Sequence, residues 1–149
     1  RQNIEIANPG ASDEAIVRAA KLSGVDSFVA VHPEGFDMQV GEQGKWLSSG
    51  QRQCIALARA LLDDPRVLFL DEPSSSMDLQ TERELFLHLR EAITPDQTLI
   101  IATHRTTMLQ LVDRLIVIDK GRLVEDGPRD EVVERLTNAR DARRSKAVQ

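Results

Sequence analysis

The chain is 149 residues long, 41% hydrophobic and 29% charged, the composition of an ordinary globular sequence and a length of about one domain. Its longest aliphatic runs, residues 67–70 and 115–118, fall far short of the ~20 residues that a helix needs to cross a bilayer. A formal net charge of -5 and a pI near 5.2 argue against nucleic acid as the main partner, because affinity for its backbone comes from Lys and Arg neutralising phosphates.

Ile16, Ala19, Ala20 and Leu22 recur at helical spacing and predict a helix over residues 12–22, with Ser12 as its cap and Gly24 as its end. A second helical piece over 26–31 stops at His32-Pro33, since the residue before a proline is pushed out of the helical region. A polar loop with Gly41 and Gly44 then leads through Gly50 into the clearest helix, residues 51–62, with Cys54, Leu57, Ala58 and Leu61 on one face. The single cysteine, Cys54, lies on that apolar stripe and reads as a reduced, packed thiol.

Asp63-Asp64-Pro65 breaks the helix, and residues 67–70 follow as a continuous apolar run, the pattern of a strand buried on both faces of a parallel sheet. Two similar runs, 98–102 and 114–118, follow helical patterns at 78–93 and 106–112. The alternation predicts an α/β fold with a largely parallel sheet. Asp119-Lys120-Gly121 turns the chain into an antiparallel edge hairpin, and residues 128–136 form the last predicted helix. The remaining tail, 138–149, carries Arg140, Arg143, Arg144 and Lys146; these could touch anionic lipid or belong to a solvated, frayed end.

Three features carry chemistry. The strand at 67–70 ends in adjacent carboxylates, Asp71 and Glu72, at the edge of a parallel sheet where open α/β folds bind ligands; Asp71 could hold a hard cation and Glu72 orient or deprotonate a water. Leu47-Ser48-Ser49-Gly50-Gln51 precedes a helix, where free N–H groups and the helix dipole suit a phosphate, although Ser48 or Ser49 could equally be a plain cap. His104 follows the run 98–102, at the same sheet edge as Asp71 and Glu72; alone it could be an ordinary surface histidine.

In this order, the three features resemble the nucleotide-binding domain of ABC ATPases. Residues 47–51 match the family's LSGGQ signature with Ser49 in place of one glycine, 68–72 its Walker B strand, 75–78 its D-loop, and His104 its switch histidine. Residues 40–44 look like the loop by which the family's exporters meet their transmembrane domain. Gly24-Val25-Asp26-Ser27-Phe28 and the run 32–37 are most similar to the ATPases of type I secretion systems.

The resemblance implies a partial P-loop NTPase-like fold: a helical subdomain over 1–64, the C-terminal part of the core sheet over 65–137, and a basic tail over 138–149. It implies ATP and Mg²⁺, with Asp71 toward the metal and Glu72 and His104 as the catalytic pair. Ser48, Ser49, Gly50 and Gln51 would contact ATP held by a second ABC ATPase domain in a head-to-tail dimer, and Asp78 would cross that interface. The implied partners include the transporter's own transmembrane domain, and for type I secretion a periplasmic adaptor and an outer-membrane channel; the implied location is the cytoplasmic face of the inner membrane.

The 149 residues contain no Gly-x4-Gly-Lys-Ser/Thr, and Gly41-Glu42-Gln43-Gly44-Lys45-Trp46 has the wrong spacing for one. With no methionine at Arg1 and no signal sequence, the chain reads as the C-terminal part of a longer transporter, inactive alone. A soluble, non-transport ABC ATPase and a non-catalytic interaction module are the alternatives.

Overall fold

The computed structural model describes residues 1–147, and the side-chain surroundings of residues 1–140. The chain divides into two compact units, Arg1–Met108 and Leu109–Gln149.

In the first unit, α1 (Gln2–Glu5), α2 (Asp13–Ser23), α3 (Val25–Val29) and α4 (Ser49–Leu61) enclose an apolar core that includes Ile4, Ile16, Val25, Ile55 and Leu62. The ends of α2 follow from their chemistry. Ser12 Oγ accepts from the Ala15 N–H, and Gly24 closes the helix at φ 77°, a left-handed conformation that glycine adopts without a Cβ penalty. Two short 3-10 turns, Gly35–Asp37 and Glu42–Gly44, fill the loop before α4.

Strand β1 (Val67–Asp71) pairs in parallel with β2 (Thr98–Ala102), Asp71 standing opposite Ala102. Between them α5 (Leu79–Ala92) packs on α2 and α4. Its buried stripe is Glu82, Leu85, Leu89 and Ala92, a spacing of three or four residues with one carboxylate among apolar side chains.

The expectation that β1 is buried on both faces is corrected. Leu68 and Leu70 are buried, whereas Val67 and Phe69 are 59% and 62% exposed. Among the described residues this parallel sheet has two strands and one covered face, so alternate side chains reach solvent.

In the second unit β3 (Arg114–Asp119) and β4 (Arg122–Pro128) form the expected antiparallel hairpin, with Gly121 at φ 74° in its turn. The third apolar run, β3, therefore pairs with β4 and does not extend the parallel sheet. Residues 106–112, expected as a helical segment, are a 3-10 helix over Thr106–Leu111, and the last helix, α6 (Arg129–Ala147), continues well past residue 136. The frayed end proposed for 138–149 is thus helical to Ala147; the side chains of Arg143, Arg144 and Lys146 lie outside the described surroundings.

Candidate functional site

The carboxyl end of β1 and the segment after β2 meet as the sheet register dictates. The Glu72 N–H donates to the Ala102 carbonyl at 2.8 Å, fixing the two strand ends together. Just beyond, His104 Nδ1 lies 2.7 Å from Glu72 Oε1. Glu72 has φ 46°, the left-handed region that a non-glycine residue adopts at a cost. Its other carboxylate oxygen, Oε2, is buried with no hydrogen-bond partner among the described residues. A buried acceptor left unpaired at a strained residue is the arrangement expected where a donor is missing. Asp71, one residue earlier, is exposed. No cluster of three or more His, Cys, Asp or Glu side chains able to hold a metal occurs among the described residues. The adjacent carboxylates Asp71 and Glu72 are instead a donor set that suits Mg²⁺, which keeps several waters and takes one or two carboxylates together with phosphate oxygens.

The signature segment is built differently. Ser48 caps α4 by accepting from the Gln51 N–H at 3.1 Å, while Gln51 Oε1 accepts from the Ser48 N–H at 2.9 Å, a reciprocal capping box. The N–H groups of Ser49 and Gly50 have no partner among the described residues. Two free donors at the N-terminus of a 13-residue helix are the donor set a phosphate needs. The Ser49 hydroxyl is already engaged, donating to the Ser76 carbonyl at 3.0 Å.

Asp78 caps α5, accepting from the Gln80 and Thr81 N–H groups and from the Thr81 hydroxyl. The Thr81 backbone and then its hydroxyl hold the Asp78 carboxyl below the usual carboxylate range. On α4, burial pushes the Cys54 thiol up to about 11, in keeping with a packed rather than a nucleophilic role.

Ser48, Ser49, Gly50, Gln51 and Asp78 all line one cleft of about 520 Å³, together with His88 and others. Asp71, Glu72 and His104 do not line it. The sequence-predicted residues thus fall into two separate groups, signature with Asp78, and the strand-end acids with the histidine.

Sequence reasoning missed the polar links between these groups. Gln53 Nε2 donates to Ser75 Oγ at 3.3 Å, and Arg105 pairs with Glu82 at 2.9 Å. The signal for the second was present: a carboxylate at 82 on the stripe of Leu85 and Leu89 has to find a cation if it is buried.

Residues 13–75 match the ABC transporter family. The chain is 42% identical over 133 residues to the leukotoxin export ATP-binding protein LtxB of Aggregatibacter actinomycetemcomitans, covering 89% of this chain and 19% of that protein. It is 43% identical over 131 residues to the alpha-hemolysin translocation ATP-binding protein HlyB of Escherichia coli, covering 88% and 18%. With a multidrug efflux ATP-binding/permease protein of Mycobacterium bovis it shares 46% identity over 139 residues, 93% of this chain and 12% of that one. Among solved structures it is similar to a bacterial Atm1-family ABC exporter with ATP bound, at TM-score 0.81 and 36% identity, covering 90% of this chain and 24% of that chain. The chain therefore spans less than a fifth of the length of these curated relatives.

Proposed function

The chain belongs to the ABC transporter family of ATP-binding proteins, and on that premise we propose that it supplies the signature and the hydrolytic strand end of an exporter ATPase. The observation that carries this reading is the division of the site. The signature residues and Asp78 line one cleft, and the Glu72–His104 pair stands apart from it. A head-to-tail pair of such domains needs this separation, because each copy serves two nucleotides, one with its signature and one with its strand end.

In this reading the Glu72 carboxylate, partly exposed and with one oxygen not engaged by His104, takes a hydrogen bond from the attacking water and accepts its proton. His104, bonded through Nδ1 to Oε1, fixes the orientation of that carboxylate and leaves Nε2 for the terminal phosphate. Asp71 is the carboxylate for Mg²⁺, whose chemistry when bound is to neutralise charge on the phosphate oxygens. The Ser49 and Gly50 N–H groups and the Ser48 hydroxyl are the donors for the terminal phosphate on a second domain. The free hydroxyl hydrogen of Ser48 remains available because its oxygen acts as acceptor in the capping box.

The exposed loop before α4 supports docking to a transmembrane domain. Trp46 is 64% exposed, and Gly41 holds φ 73° where a Cβ would come within 2.9 Å of Trp46. A large apolar side chain on a conformationally fixed loop is suited to a protein interface. The names of LtxB and HlyB, a leukotoxin export and an alpha-hemolysin translocation protein, support protein secretion as the export class; on that reading the chain works at the cytoplasmic face of the inner membrane, and a periplasmic adaptor and an outer-membrane channel are further partners of the assembled exporter.

Because the 149 residues hold no P-loop, the isolated chain lacks the backbone cradle and lysine that bind the outer phosphates. Phosphate release by the 149-residue chain should equal the enzyme-free blank, and should appear when a P-loop-bearing N-terminal ATPase segment is joined to it. Hydrolysis by the chain alone, or none by the joined protein, would contradict the proposal.

A further inference from the structure

We infer that the buried Glu82–Arg105 ion pair is a positioning device that ties the D-loop to His104. The inference rests on the catalytic role proposed for Glu72 and His104. Glu82 lies on the buried stripe of α5 and its side chain is 3% exposed. Arg105 Nη1 donates to Glu82 Oε2 at 2.9 Å, and Nη2 reaches the Ser75 carbonyl at 3.4 Å. The Arg105 N–H in turn donates to Thr103 Oγ1 at 3.0 Å. Through its guanidinium Arg105 thus joins α5 and the D-loop carbonyl to the segment after β2 that carries it, and the residue immediately before it is His104.

On its other side the D-loop is held by the signature helix, through Ser49 Oγ to the Ser76 carbonyl and Gln53 Nε2 to Ser75 Oγ. The polar links therefore run from the start of α4 through Ser75 and Ser76 to Arg105, the covalent neighbour of the histidine that holds Glu72. A lysine could carry the charge to Glu82, but it lacks the planar fork that serves Glu82 and Ser75 together. A buried ion pair is a weak source of stability compared with apolar residues of the same volume. Its geometry here, spanning three segments of the site, gives it a function in placing them.

The test uses the complete ATPase that carries this chain, with steady-state hydrolysis, binding of the fluorescent analogue TNP-ATP, and thermal unfolding. Arg105→Ala should lower kcat on the order of tenfold to a hundredfold, the cost of a misplaced catalytic group, while KM and the TNP-ATP Kd stay within about twofold. Arg105→Lys should recover part of that loss, and Glu82→Gln, which keeps size and an acceptor, should fold and lower kcat with the same split. Glu72→Gln serves as the control for the underlying reading and should abolish turnover. If Glu72→Gln abolishes turnover but Arg105→Ala and Glu82→Gln leave kcat within about twofold, the pair does not position His104 and the inference is overturned alone. Parallel loss of kcat, TNP-ATP affinity and thermal stability, unrelieved by Arg105→Lys, overturns it in favour of a purely structural pair. Turnover that survives Glu72→Gln removes the reading on which the inference stands.

Discussion

His104 Nδ1 and Glu72 Oε1 are 2.7 Å apart although 32 residues separate them in the chain. The contact follows from the parallel register of β1 and β2, which sets Asp71 opposite Ala102 and brings both following segments to one edge. With the carboxylate turned by the histidine, Glu72 Oε2 is left as the buried acceptor without a partner. His104→Ala should therefore lower turnover in the complete ATPase on the order of a hundredfold or more, as for loss of one preorganised donor. Steady-state kinetics check this, and a variant within a few-fold of the native rate would show that the contact is incidental.

Gly50 separates packing from phosphate approach. A Cβ there would meet Thr81 Cγ2 at 3.6 Å and Met77 Cγ at 3.7 Å, ordinary contact distances, and alanine is favoured over glycine inside a helix by about 1 kcal/mol. Gly50→Ala should leave the unfolding midpoint unchanged or higher while lowering ATP turnover. A fall in the midpoint with normal turnover would contradict the assignment of this N–H to the nucleotide.

Gly41 should behave in the opposite way. Its φ of 73° is strained for any side chain, and a Cβ would lie 2.9 Å from both Lys45 Cγ and Trp46 Cδ2. Gly41→Ala should destabilise the chain by about 1 kcal/mol or more, in the manner of alanine placed at positive φ. Chemical denaturation measures it, and an unchanged midpoint would mean that the loop reshapes freely.

Cys54, with its thiol pushed up to about 11 by burial, should resist alkylation. At pH 8 its reaction with iodoacetamide should be on the order of a hundredfold slower than that of the unfolded chain, and the rate should climb as the pH approaches 11. Because the folded pKa is raised above the unfolded one, the protonated thiol favours the fold at neutral pH, and that contribution is lost as the pH rises through the folded value. Rapid labelling at pH 8 would contradict the packing described.

Asp78 works in the opposite direction. Its carboxyl is held down mainly by the Thr81 N–H and hydroxyl, so its contribution to stability is full above the unfolded carboxylate range and is lost as the pH falls through the lower, folded value. The difference in unfolding midpoint between the native chain and Asp78→Ala should be present at pH 6 and shrink in strong acid. A difference constant down to pH 2 would show that the charge on the cap does not matter.

Local signals made α2, α4, α5, β1 and β2 legible in the sequence. Ser12, Ser48 and Asp78 cap their helices, and Pro65 and the apolar runs bound the strands. The meeting of Glu72 and His104 was legible too, because parallel strands deliver their ends to one edge. Exposure was less legible: an uninterrupted run such as 67–70 is written for two covered faces, but Val67 and Phe69 reach solvent where this chain supplies one layer. The hairpin of β3 and β4 was legible in the turn at 119–121, whereas the length of α6 was hidden for a related reason, since a polar helix's persistence depends on contacts that periodicity does not encode. The Ser49–Ser76 and Glu82–Arg105 links join residues 27 and 23 positions apart, and only the placement of α5 brings them together.

The central claim, that Glu72 is the hydrolytic carboxylate of an ABC ATPase, is tested most directly by Glu72→Gln in the complete ATPase, with nucleotide binding and turnover measured on the same preparation. The amide keeps the size of the side chain and can still bond to His104, but it cannot accept the proton. The account predicts that TNP-ATP affinity stays within about twofold while turnover falls at least on the order of a hundredfold. Turnover close to that of the native protein would contradict it.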